Sequence, residues 1–146
     1  MLALLQRVRS ARVEVAGTVV GEIDIGLLVL VCAEPSDTHA VATKLVNKVL
    51  KLRIFGDAAG KMNRSVQDVA GGLLIVSQFT LAADTSAGNR PSFGGAALAD
   101  QGRALYELVL QRARELHTPV AAGQFGADMQ LHLVNDGPVT IPLTVR

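Results

Sequence analysis

The chain has 146 residues, 49% of them hydrophobic but only 3% aromatic, and a formal net charge of +1. That length suits one domain with a core of Val, Leu, Ile and Ala, and the apolar content excludes a disordered tail. The small charge argues against a protein gripping many phosphates, and one Tyr without Trp leaves few platforms for stacking single strands.

In chain order, the first stretch carries Arg7, Arg9 and Arg12 but no signal-peptide apolar block. No apolar run approaches the roughly 18 residues of a membrane span, so a soluble cytoplasmic protein with no membrane partner is expected. Leu2 to Val20 reads as two strands joined at Gly17-Thr18, with a bulge or break at Ser10-Ala11. Leu27 to Cys32 is apolar on both sides and too short for a helix, which suits a central strand. The lone Cys32 excludes an internal disulfide and reads as a small core hydrophobe without a neighbouring His or Lys to activate it.

Pro35-Ser36-Asp37-Thr38 supplies helix-start oxygens. Val41, Leu45, Val49 and Leu52 follow at helical spacing, with Lys44, Lys48 and Lys51 on another face. Those lysines read as a solvated face or as groups able to meet phosphates. Phe55 to Asn63 reads as a loop, Ser65 to Ala70 as one helical turn, and Leu73 to Leu81 as a second buried strand. Ala82 to Gly95 is a long loop of the kind that often carries function. Leu98 to Leu116 reads as the second helix, its faces marked by Leu105, Leu108, Val109, Arg112 and Leu116. Val120 to Phe125 and Met129 to Val134 follow as strands, with Met129, Leu131 and Leu133 on one face. Gly137-Pro138 then breaks the chain before a last edge strand from Ile141 to Val145. The order predicts a single α/β domain over residues 1–146, with mixed β-sheet layers and two principal helices.

His39, His117 and His132 lack metal-ligand spacing, no Cys cluster assists them, and no metal or cofactor is expected. No phosphate loop, dinucleotide fingerprint or nucleophile elbow occurs. An enzyme built on this chain would therefore attack an already labile bond. An activated ester fits: it needs a placed water, donors to a developing oxyanion and firm orientation.

Two segments suit that chemistry. Ser77-Gln78-Phe79-Thr80-Leu81 gathers hydroxyl and amide groups at a strand end, where ligands commonly bind in α/β sheets. Backbone N–H groups of Phe79 or Thr80 are free to meet a carbonyl oxygen if the ladder stops there. Thr80 is a candidate nucleophile with no evident base. In Asn135-Asp136-Gly137-Pro138-Val139-Thr140, Gly137-Pro138 is a candidate cis peptide, and Asn135 and Asp136 can hold the turn. Taken singly, the first segment reads as a polar strand end and the second as an ordinary turn.

Taken together they carry a resemblance. With Gln6-Arg7-Val8, Asn89-Arg90-Pro91-Ser92-Phe93 and Gly123-Gln124-Phe125-Gly126-Ala127 in the same order, the chain resembles the D-aminoacyl-tRNA deacylase family, of the D-Tyr-tRNA deacylase type, almost end to end. Pro142 to Arg146 departs from the acidic, aromatic ending of that family. The resemblance implies hydrolysis of the ester between a D-amino acid and the acceptor end of tRNA, and removal of glycine mischarged on tRNA(Ala). It implies a homodimer with active sites at the interface, and no DNA partner. It places Ser77, Gln78, Phe79 and Thr80 at the ester, and Gly137 and Pro138 as a filter reaching into the partner's pocket. Arg7, Asn135, Val139 and Thr140 support that filter. Two readings without catalysis stand beside it: a tRNA-end or nucleotide-binding module, and an interaction protein using the same dimer surface.

Overall fold

Aliphatic and β-branched residues fill the first third of the chain and lay down three antiparallel strands. These are β1 (Leu2–Val15), β2 (Thr18–Ile23) and β3 (Gly26–Cys32) in the computed structural model, which describes residues 1–146. The β1–β2 turn is Ala16-Gly17, with φ of 49° and 78°, one residue earlier than the Gly17-Thr18 pair predicted. All seven residues of β3 are buried, as expected of a central strand.

Helix α1 (His39–Lys51) starts where Thr38 Oγ1 accepts from the Val41 N–H at 3.4 Å. Its buried face is Ala42, Leu45, Val46, Val49 and Leu50, while Val41 and Leu52 are half-buried. The segment read as a loop contains a small hairpin of β4 (Phe55–Gly56) and β5 (Met62–Arg64). The Asp57 carboxylate builds its turn, accepting from the N–H groups of Ala59 and Lys61 at 2.9 Å each and from Asn63 Nδ2 at 3.0 Å. Between Ser65 and Ala70 the chain makes the single helical turn read from the sequence, the Val69 N–H donating to the Ser65 carbonyl at 3.2 Å, and Ser65 and Asp68 bond each other's backbone N–H.

Strand β6 (Gly72–Ser77) runs parallel to β3, and β7 (Val120–Ala122) runs parallel to β6. Helix α2 (Ala99–Leu116) joins them. Beside α1 it buries Leu105, Tyr106, Val109, Leu110 and Ala113, and leaves Leu116 42% exposed. The last strand, β8 (Gln130–Thr144), pairs antiparallel with β1. The sheet order is β2-β1-β3-β6-β7, with β8 on β1. The result is the mixed α/β sheet with two principal helices read from the sequence.

Three boundaries differ from expectation. β6 stops at Ser77, not Leu81: the Gln78 N–H makes the last bond to β3, to the Val31 carbonyl at 2.8 Å, and the chain then coils into a 3-10 turn, Phe79–Ala82. β7 ends at Ala122, where the chain turns through Gly126 at φ 76°. Gly137-Pro138 does not break the C-terminal strand: β8 continues through it by bulging.

Side-chain alternation feeds two cores. Leu27, Val29, Val31, Leu73 and Ile75 pack under the helices with Leu45, Val49 and Val109. Leu28, Leu30, Leu74 and Val76 point the other way and meet Val8, Ala11, Val13 and Ile23, with Met129, Leu131 and Leu133 alongside. β1 serves both cores because its alternation flips: Ala3 and Leu5 face the helices, whereas Ala11 and Val13 face the second core. The flip lies at the register shift between Val8 and Ser10 opposite β8, the bulge anticipated at Ser10-Ala11. Gly26 and Gly72 let β3 and β6 approach here, since a Cβ on Gly26 would lie 2.0 Å from the Gly72 oxygen.

Candidate active site

The parallel strands β3, β6 and β7 all end at the same edge, and a cavity of about 630 Å³ opens there. Ser77, Gln78 and Phe79 form one wall. Cys32 and Ala33 leave β3 beside them, and Phe93, Ala97 and Leu98 come from the loop before α2. Gly102 and Tyr106 of α2, then Phe125 and Gly126, close the far side. No charged side chain lines this space. A depression of about 690 Å³ lies elsewhere, over Arg12, Asp24 and His132. There Arg12 and His132 both pair with Glu14, whereas the first cavity is the one that Ser77, Gln78 and Phe79 line.

Phe79 is 56% exposed, and its ring meets Phe93 edge-on at 5.1 Å. Phe79 and Thr80 open the 3-10 turn, and the first N–H groups of such a turn have no partner within it. The Cys32 thiol donates to the Phe79 carbonyl at 3.6 Å and pins that turn from below. Burial pushes the Cys32 thiol up, with the Glu34 charge adding to it, so Cys32 is a packing residue and no ready nucleophile. Thr80 itself is exposed and does not line the cavity; its hydroxyl accepts from Gln78 Nε2.

Tyr106 holds the cavity floor to the sheet. Its hydroxyl donates to the Ile75 carbonyl at 2.9 Å, and burial pushes its pKa up to about 12. Phe125 packs against the Tyr106 ring at 5.9 Å and carries the Arg103 guanidinium 4.6 Å above its centroid. The Met1 side chain is buried at the cavity edge, where the Met1 ammonium donates to Asp37 at 2.7 Å and to Glu34 at 2.8 Å. No group of three or more His, Cys, Asp or Glu side chains is placed to hold a metal ion. No helix is long and apolar enough to cross a membrane.

The second predicted segment lies on β8. Thr140 pairs with Gln6 and Asn135 with Val8, so Asp136, Gly137, Pro138 and Val139 bulge out opposite Arg7 alone. The Gly137–Pro138 peptide is cis, and both residues are exposed. Arg7 props the bulge: its Nε donates to the Asp136 carbonyl at 2.9 Å and its Nη1 to the Ile54 carbonyl at 2.7 Å. Asn135 closes it, with Oδ1 accepting from the Val139 N–H at 2.8 Å and Nδ2 donating to Thr140 Oγ1 at 2.9 Å. Gln6 Nε2 also donates to that Thr140 oxygen, at 3.3 Å.

The structure thus brings Ser77, Gln78 and Phe79 together, and Arg7 with Asn135 to Thr140, but not the one group with the other. Arg7 pairs with Leu27 while Ser77 pairs with Val31. Four residues along the strand and three strand spacings across put Gly137 roughly 20 Å from Ser77 within one chain. Sequence reasoning missed Tyr106 and Cys32 as neighbours of the site and did not place Phe93 and Phe125 in it, although both lie in the motifs that carried the resemblance. In the divergent ending Val145 is buried in the core and Arg146 pairs with Glu34, while Pro142 and Thr144 are exposed.

The family model described as D-Tyr-tRNA(Tyr) deacylase matches residues 4–144. The D-aminoacyl-tRNA deacylase of Methylibium petroleiphilum is 74% identical over 145 residues, covering 99% of this chain and 95% of its own. That of Variovorax paradoxus is 66% identical and covers 98% of each. Among solved structures, the c-Myc DNA unwinding element binding protein superposes with a TM-score of 0.93 at 40% identity, over 99% of this chain and 98% of its own.

Proposed function

The chain belongs to the D-Tyr-tRNA(Tyr) deacylase family and is a hydrolase, and from that premise we propose that it cleaves the ester of D-aminoacyl-tRNA to free D-amino acid and tRNA while sparing L-aminoacyl-tRNA. Glycine mischarged on tRNA(Ala) is a second substrate. The observation that carries this reading is the cavity at the ends of β3, β6 and β7, apolar, uncharged and walled by Ser77, Gln78 and Phe79. An uncharged pocket accepts amino-acid side chains of many kinds, and the amide and hydroxyl groups at its wall supply polar contacts to an ester.

Water attacks the ester carbonyl, and the backbone N–H groups of Phe79 and Thr80 stabilise the oxyanion. The neighbouring 2′-hydroxyl of the RNA assists. Thr80 is not the nucleophile, which fits its exposure and the lack of a His or carboxylate bonded to its hydroxyl. Selection comes from the Gly137-Pro138 bulge acting as a fixed wall. An L-side chain collides with it, a D-side chain points away, and glycine has nothing to collide. The roughly 20 Å between that bulge and Ser77 within one chain favours its delivery by the partner subunit of a homodimer, in the cytoplasm where charged tRNA is found.

The second reading is a nucleic-acid-binding module without catalysis, favoured by the 40% identical relative named for binding a DNA element. A deacylation assay with D-, L- and glycyl-tRNA separates the two. Loss of the D and glycyl esters with the L ester intact is expected; binding with every ester intact would sink the deacylase reading.

A further inference from the structure

The cavity accounts for the aminoacyl end of a charged tRNA, but not for the long polyanion attached to it. Of the two helices, only α1 carries charge of a single sign. It carries Lys44, Lys48 and Lys51, all exposed, and no acidic residue. In contrast α2 mixes Asp100, Glu107 and Glu115 with Arg103, Arg112 and Arg114, and the whole chain carries only +1. Lys48 and Lys51 enter no ion pair, and Lys44 Nζ donates only to the Arg146 carbonyl, at 2.9 Å. Like charges three and four residues apart on one helix face repel and weaken the helix. A polyanion laid along that face relieves the repulsion.

The position of the face supplies the direction. α1 begins at the cavity end, one short connection after Cys32 and Ala33, and the Pro35 carbonyl there accepts from Gln101 Nε2 of α2 at 3.0 Å. Contacts then lead from the cavity to the first lysine. Met1 at the cavity edge bonds Glu34, Glu34 pairs with Arg146, and the Arg146 carbonyl accepts from Lys44. From Lys44 to Lys51 the row extends about 10 Å away from the site.

We propose that the Lys44, Lys48 and Lys51 face of α1 seats the phosphate backbone of the tRNA acceptor stem, beyond the nucleotide held at the cavity. This rests on the deacylase reading. It also explains how a chain of small net charge can hold a tRNA: three of its fourteen Lys and Arg residues form one row, without an acidic neighbour on the helix, that leads away from the site.

The test uses the full-length protein with Lys48→Gln and Lys51→Gln combined, leaving Lys44 and its Arg146 contact in place. D-aminoacyl-tRNA is compared with D-aminoacyl-adenosine, which has the ester but no stem. Each lysine that meets a phosphate contributes about one to the log–log salt slope. The variant is expected to show a KM for the tRNA ester raised about tenfold or more, a salt slope shallower by about two, and an unchanged kcat. Its rate on aminoacyl-adenosine should stay at wild type, and its melting temperature should not fall, since the substitutions relieve the repulsion along the helix. A wild-type KM and salt slope on the tRNA ester would overturn the assignment. Equilibrium binding of uncharged tRNA reads the same face without chemistry: a wild-type protein that binds through these lysines but cleaves neither ester would end the deacylase reading and leave this one standing.

Discussion

Arg7 and Asp136 are joined side chain to backbone: the guanidinium Nε donates to the Asp136 carbonyl at 2.9 Å, at the base of the bulge that presents Gly137 and Pro138. The same fork reaches Ile54 at 2.7 Å, so one planar group locks the bulge to the body of the protein. Lys has a single point donor and cannot hold both carbonyls in that geometry. Arg7→Lys should destabilise the fold by about 1–3 kcal/mol and narrow the ratio of D- to L-ester kcat/KM, with turnover of the D-ester largely kept. Denaturation curves and parallel assays on both esters check this. Unchanged discrimination in a destabilised variant would detach Arg7 from selection.

Gly137→Ala should act on the same contact from the other side. An added Cβ would lie 3.1 Å from Arg7 Nη2 and 2.9 Å from Val139 Cγ2, at a φ of +144° that L-residues rarely adopt. The expected cost is about 1–3 kcal/mol, with weakened rejection of L-esters. Because both changes disturb one contact, the double variant should lose less than the sum of the singles, and a double-mutant cycle measures the shortfall.

Thr80→Ala tests the chemistry. The hydroxyl has Gln78 as its partner and no base, while the backbone N–H survives the substitution. Turnover within a few-fold of wild type is expected. Complete loss of turnover with substrate still bound would instead make Thr80 the nucleophile.

Tyr106 predicts an alkaline limit. Its pKa of about 12 in the folded protein, raised chiefly by burial, stands above the ordinary 10.0. The native state therefore holds its proton where the unfolded chain has lost it. That stability is complete below pH 10 and drains away as pH rises from about 10 to 12, by about 2–3 kcal/mol in all. Tyr106→Phe should remove the decline at the expense of the bond to Ile75. Tyr106 is the only tyrosine, so tyrosinate absorbance reports this group alone. A midpoint near 10 in the folded protein would count against the argument.

Much of the architecture could be read from local pattern. The continuous apolar run of β3, the helix-start residues before α1 and the alternation of Met129, Leu131 and Leu133 all pointed to the elements found. Turn chemistry misled where side chains closed a turn on themselves: Asp57 makes a hairpin of what looked like a loop. Gly137-Pro138 reads as a strand breaker, yet β1 supplies Arg7 to carry β8 past it, a partner more than a hundred residues away that no window could reveal. The polar end of β6 was visible as a candidate site, but the residues that share its cavity, Phe93, Tyr106 and Phe125, come from separate elements that only the fold gathers.

The mounting of the bulge has an evolutionary consequence. Strand β8 pairs with β1 on both sides of Asp136 to Val139, and a one-residue insertion in a ladder turns every following side chain to the opposite face. Lengthening β8 between Gln130 and Asn135 would expose Leu131 and Leu133 or carry Gly137 away from Arg7. The β4–β5 hairpin is under no such restriction, since nothing stands within 4 Å of a Cβ placed on Gly56 or Gly60. Divergence in this fold is expected to proceed by exchanging residues along β8 and by changing chain length at the hairpin, so that descendants keep the spacing of their last strand long after their surface loops have ceased to align.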